Sequence, residues 1–84
     1  MASSNPDAGH DGEEYHRVVC HLDRLLYERG MTLAELAHRV GVTVVNLSVL
    51  KNDRAKAVRF STLTRICEVM NCQPGDVLSL APPR

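Results

Sequence analysis

The segment "TLAELAHRVGVTVVNLSVLK", residues 32–51, constrains this chain more than any other stretch. It carries two helix-start signals, each a threonine ahead of an apolar periodic run, with one glycine between them. Thr32 and Glu35 have the form of a capping box, in which hydroxyl and carboxylate each accept from a backbone donor that the helix would otherwise leave unpaired. Leu33, Leu36, Ala37 and Val40 then recur at helical spacing. Gly41 supplies a left-handed backbone that residues with a Cβ resist, so the first helix stops there. Thr43 caps a second run, from which Leu47 and Leu50 face inward. Two short helices joined by a turn of about three residues form a helix-turn-helix. The small side chain of Ala37 at the crossing lets the helices approach to roughly 8–10 Å.

The flanking sequence fits around that unit. Eighty-four residues suffice for one domain, and a chain so short buries only about 60% of its unfolded surface. A bundle of short helices, with its local contacts, meets that limit best. With no Trp and one Phe, the core must be built from Leu and Val. Upstream, the β-branched residues of "YHRVVCHL" suggest a short strand. "LDRLLYERG" places Leu22, Leu25 and Leu26 at helical spacing, with His21 in position to cap it and Gly30 to stop it. Downstream of "NDRAKAVRF", Ser61 is expected to cap a helix carrying Leu63, Ile66, Cys67 and Met70, with Asn71 as its stop. Pro74 suits the first position of a final helix, "PGDVLSL", and Pro82-Pro83 ends the ordered chain. As an edge strand, "RVVCHL" can also pair with "DVLSL" and recruit a second copy of the chain. The acidic, Ser- and Gly-rich residues 1–14 read as a disordered tail. The division is thus a tail at 1–14, a domain at 15–81 and a tail at 82–84.

Zero formal charge conceals an asymmetry. The first fourteen residues hold Asp7, Asp11, Glu13 and Glu14 and no Lys or Arg, leaving ten basic against six acidic residues in the remainder. Lys51, Arg54, Lys56, Arg59 and Arg65 gather around Asp53 alone, the electrostatic footprint of phosphate binding. Cys20, Cys67 and Cys72 form no metal-ligand spacing with the four histidines, so no metal and no cofactor is expected and the thiols read as small buried hydrophobes. No acid–base pair, nucleophile elbow or phosphate loop points to an enzyme. His38 reads as solvent-facing, and Tyr15 and Tyr27 as packing at the rim. The N-terminus lacks the form of a signal peptide and no apolar run approaches the roughly 20 residues of a membrane span, so the expected location is cytoplasmic.

"GMTLAELAHRVGVTVVNLSVLKND" resembles the helix-turn-helix of Cro/cI-type (lambda-repressor-like, XRE) regulators, matching at Thr32, Glu35, Leu36, Ala37, Gly41, Leu47, Leu50 and Asn52. "RFSTLTRICEVMNCQPGDVLSL" is similar to that family's fourth and fifth helices, extending the likeness over roughly residues 18–80. The resemblance implies an all-α, compact bundle of five short helices, to which a small two-stranded sheet of the N- and C-terminal segments can be added. It implies a helix across the DNA backbone at Leu33–Val40 and a reading helix in the major groove at Val44–Lys51. Base-facing positions would be Val44, Val45, Asn46, Ser48 and Val49. Phosphate-facing positions would be Thr32 and Leu33, with the amide of Ala34, together with Thr43, Lys51, Asn52, Arg54, Lys56 and Arg59.

Valines at 44, 45 and 49 depart from the polar residues that read base edges by paired hydrogen bonds. A valine touches a thymine methyl or excludes water. Two functions stand on that basis. One is a sequence-selective regulator of transcription that binds double-stranded DNA as a homodimer. The other is a helix-turn-helix-shaped module with little DNA specificity that contacts a protein partner through the Val45/Val49 face.

Overall fold

Four helix stops among the described residues are built to one pattern. In the computed structural model, which describes residues 16–83, Gly30, Gly41, Asp53 and Asn71 adopt left-handed backbone with φ of 62°, 89°, 62° and 54°. After each, the next amide donates back to the helix: Met31 to the Leu26 carbonyl at 3.0 Å, Val42 to Ala37 at 3.1 Å, Arg54 to Val49 at 2.9 Å and Cys72 to Cys67 at 3.0 Å. This Schellman arrangement satisfies carbonyls that a helix end leaves open and turns the chain sharply. Short helices can therefore follow one another with almost no linker.

The elements run β1 (Val18–Cys20), α1 (Leu22–Arg29), α2 (Leu33–Val40), α3 (Val44–Lys51), α4 (Phe60–Met70), α5 (Pro74–Val77) and β2 (Leu78–Leu80). Five helices and a small sheet are the architecture expected from the sequence. The strands pair antiparallel, Val18 with Leu80, Val19 with Ser79 and Cys20 with Leu78, so the first and last elements close on each other. Every helix contributes to one aliphatic core. Leu22, Leu36, Leu47, Ile66, Met70, Val40 and Val77 are its fully buried members. Burying one such side chain contributes roughly 1.5–3 kcal/mol. No polar side chain is buried among the described residues, so shape alone specifies the interior.

Two arginines brace helix ends from neighbouring helices. Arg29 Nε donates to the Met70 carbonyl at 2.6 Å, and Arg65 Nη1 donates to the Val40 carbonyl at 3.2 Å. A cation at a helix C-terminus also complements the negative end of the helix dipole.

Several local expectations require correction. Helix α4 starts at Phe60 with Arg59 in the cap position, because the extended backbone of Arg59 lets its carbonyl accept from Leu63 at 2.9 Å. Ser61 therefore lies inside the helix and caps nothing. His21 occupies the cap position of α1, but its ring bonds the Ser79 hydroxyl rather than a helix amide. The last helix ends at Val77, since Leu78 is extended (φ −129°) and enters β2. Tyr27 stands 88% exposed instead of packing at the rim. Residues 1–14, Tyr15 and Arg84 lie outside the described residues.

Candidate nucleic-acid interface

Helices α2 and α3 are inclined by 115°, within the usual range for a helix-turn-helix. Both begin on a working threonine cap: Thr32 Oγ1 accepts from the Glu35 amide and Thr43 Oγ1 from the Asn46 amide, each at 3.0 Å. A helix leaves its first amides without internal partners, so those of Leu33 and Ala34, and of Val44 and Val45, are available to an outside acceptor. Only half of the expected capping box at Thr32 forms. Glu35 Oε2 accepts from Arg39 Nη2 at 2.6 Å, one turn on, rather than reaching back to the cap amide.

Helix α3 divides into two faces. Leu47 and Leu50 point into the core, while Val45 is 71%, Val44 45% and Val49 38% exposed, with Asn46 exposed beside them. Ser48 is half-buried, and its hydroxyl accepts from Asn52 Nδ2 at 3.3 Å. Asn52 Oδ1 in turn lies 3.4 Å from Lys51 Nζ, and that ammonium pairs with Asp23 of α1 at 3.2 Å. Ser48, Asn52, Lys51 and Asp23 thus form one chain of contacts lashing the end of α3 to α1.

The segment between α3 and α4 carries the basic residues. Asp53, read from the sequence only as the single acid of the cluster, proves to be its anchor. It adopts φ 62° and its Oδ1 accepts from the Cys20 amide at 2.8 Å, tying the loop to β1. An Asn-Asp pair directly after a helix was the available signal, since short polar side chains tolerate left-handed backbone. Arg54, Lys56 and Arg59 are exposed. Arg65 instead turns its guanidinium to the Val40 carbonyl, leaving the basic cluster for a structural post. Asn46 and Arg59 border one groove with Val42 and Thr62, so α3, the loop and the first turn of α4 converge there. Thr62 was not anticipated, and neither was Phe60, 84% exposed beside Arg59.

This constellation of two capped helices at a steep angle, an outward α3 face and an anchored basic loop has a matching family. The sequence fits the profile of the Cro/C1-type HTH DNA-binding domain over residues 21–83. The chain belongs to the Cro/C1-type helix-turn-helix family. As a member it is a helix-turn-helix DNA-binding protein. Among its relatives is an uncharacterised HTH-type transcriptional regulator, YozG, of Bacillus subtilis (strain 168), 51% identical over 61 residues that make up 73% of each chain. A solved structure of the transcriptional regulator VanUg has a similar fold, with a TM-score of 0.68 at 32% identity, covering 84% of this chain and 95% of that one.

Among the described residues no three His, Cys, Asp or Glu side chains come together as a metal site. No single helix among them is long and apolar enough to cross a membrane. Burial pushes the Cys20 thiol up, against a backbone hydrogen bond at Leu22, and Asp53 and Asp23 push it further. All three cysteines are half-buried, not fully enclosed as the sequence suggested.

Proposed function

We propose that this protein is a sequence-selective regulator of transcription, acting in the cytoplasm, that places α3 in the major groove of double-stranded DNA. The observation that carries this reading is the division of α3: Leu47 and Leu50 are in the core, while Val44, Val45, Asn46 and Val49 face solvent. Exposed valines gain nothing for the fold. Against DNA, Val45 and Val49 would pack on thymine methyls and favour A·T pairs, while Asn46 supplies hydrogen bonds to a base edge. The amides at the start of α2, under Thr32, and at the start of α3, under Thr43, would each receive a phosphate. Arg54, Lys56 and Arg59 would grip the backbone and give binding its salt dependence. Lys51, Asn52 and Ser48 hold one another in the free protein, so their share is smaller and requires exchange of existing bonds.

The relatives named as transcriptional regulators support the regulatory role. A homodimer on a two-fold site is part of the proposal. The outward amides of β1, those of Val18 and Cys20, are occupied by His16 Nδ1 (3.1 Å) and Asp53 Oδ1 (2.8 Å), and on β2 the Leu78 amide is taken by the Pro74 carbonyl, so a second copy would join at the Leu80 end of β2, where Leu80 is 64% exposed. Sedimentation should find a dimer at tens of micromolar, and a monomer would remove that part.

The 71% exposure of Val45 also suits a second reading, a protein contact through the same face. Selection of bound duplexes from a random pool at two salt concentrations separates the two. A recurring motif that persists at higher salt is expected. A pool that stays random at both salts would leave the protein-contact reading in its place.

A further inference from the structure

The stop of α4 differs chemically from those of α1 and α2. A Schellman turn brings together the side chains of the two residues joined by its long hydrogen bond. In α1 these are Leu26 and Met31, in α2 Ala37 and Val42, and in α3 Val49 and Arg54. In α4 they are Cys67 and Cys72, with the Cys72 amide 3.0 Å from the Cys67 carbonyl and Asn71 between them at φ 54°. Standard bond lengths on either side of that hydrogen bond cap the separation of the two Cα atoms at about 7 Å, and the bends at the carbonyl and the amide bring it below that. That lies inside the span a disulfide accepts. The Cys72 thiol lies close enough to act on its neighbour: burial first, then the Cys72 thiol, pushes the Cys67 thiol up. Both are half-buried and border the same open groove beside Leu63 and Asp76, within reach of a small reagent. Cys20 stands apart, on β1 beside Asp53 and Asp23.

We propose that Cys67 and Cys72 form an oxidisable dithiol that closes to an intramolecular disulfide across the end of α4. The oxidant is a small-molecule disulfide. The Cys72 thiolate attacks one of its sulfurs, forming a mixed disulfide and releasing one small thiol. Cys67 then gives up its proton to solvent and its sulfur attacks that of Cys72, releasing the second small thiol. Two protein thiols thus lose two electrons and two protons, and the small disulfide gains them. The product is the same if Cys67 attacks first. The product fixes the left-handed turn at Asn71 and stiffens the joint between α4 and α5, making this helix stop a redox-sensitive element.

The test is peptide mapping of the full chain after incubation with oxidised glutathione, followed by alkylation of the remaining thiols. No Lys or Arg lies between Ile66 and the terminal Arg84, so one tryptic peptide contains both cysteines. That peptide should be lighter by two hydrogens and unalkylated, while the peptide bearing Cys20 is alkylated. Repeating the reaction in urea should lower the ratio of closed to mixed disulfide several-fold, because the folded turn sets the geometry. Alkylation of both cysteines, persistent glutathione adducts, disulfides between chains, or a ratio unchanged in urea would each overturn the proposal.

Discussion

Gly41→Ala should destabilise the domain more than Gly30→Ala, by an amount that can be worked from the surroundings of each. Both glycines sit in left-handed backbone, at φ 89° and 62°. For a residue with a Cβ that conformation costs roughly 1–2 kcal/mol. At Gly30 an added Cβ meets nothing within 4 Å, so that is the whole cost. At Gly41 it would lie 3.3 Å from Arg65 Nη1, the atom that donates to the Val40 carbonyl at 3.2 Å. Shifting the guanidinium adds up to the net worth of a charged hydrogen bond, about 1.5 kcal/mol. The expected loss is then about 1–2 kcal/mol for Gly30→Ala and larger for Gly41→Ala, up to about 3.5 kcal/mol. For a domain of this size each kcal/mol lowers Tm by roughly 4–8 °C. Thermal melts of both variants, alone and combined with Arg65→Met, provide the assay. With Arg65 already removed, the two alanine substitutions should cost nearly the same. Equal losses in the wild-type background would refute the claim that Arg65 supports the helix-turn-helix from below.

Other outcomes follow from the same geometry. Val45→Ser should change folding stability by less than about 0.5 kcal/mol, as surface substitutions do, whereas Leu47→Ala, 1% exposed on the same helix, should cost about 2–5 kcal/mol; urea melts in which the two variants behave alike would contradict the assignment of faces. Arg54→Gln and Arg59→Gln should each flatten the slope of log affinity against log salt by about one unit. Lys51→Gln should flatten it less, because Asp23 already holds that ammonium at 3.2 Å; a larger effect at Lys51 than at Arg59 would reverse the proposed division of labour. Burial raises the Cys20 thiol above its ordinary 9.0, so its stabilising share is complete below that value and is lost as pH rises through the higher folded value. The Tm advantage of reduced wild type over Cys20→Ala should shrink above pH 9.0, and a pH-independent difference would rule the thiol out.

The helix-turn-helix was legible because its signals are local. Thr32, Thr43 and Gly41 act within a turn of their own position, and the Leu33–Val40 and Val44–Lys51 spans follow from them. The core was legible for the same reason, through the spacing of Leu22, Leu25, Leu36, Leu47, Leu63 and Ile66. What stayed hidden depends on partners distant in sequence. Asp53 reaches Cys20 across the fold, Arg65 reaches Val40 and Lys51 reaches Asp23, and no periodicity encodes such pairings. Arg65 and Lys51 therefore looked like members of one solvent-facing cluster. Helix α4 starts two residues earlier than the Ser61 hydroxyl suggests, because the extended backbone of Arg59, with no side-chain cap, begins it. Exposure of α3's valines was expected, but their ligand is a question of chemistry outside the chain.

That question is settled most directly by removing the methyl group proposed as the ligand. Once a preferred duplex has been selected, each thymine at the site can be exchanged for uracil, which keeps every hydrogen-bonding group and loses only the C5 methyl. Fluorescence anisotropy of wild type, Val45→Ser and Val49→Ser on both duplexes gives a double-mutant cycle. If α3 reads thymine methyls, uracil at one position should weaken wild-type binding by roughly 1 kcal/mol, the value of one buried methyl-sized group. Val45→Ser or Val49→Ser should show a similar loss on the thymine duplex and almost none on further exchange to uracil. Uracil and thymine duplexes bound equally by the wild type, or losses that simply add, would contradict an α3 that reads DNA through its valines.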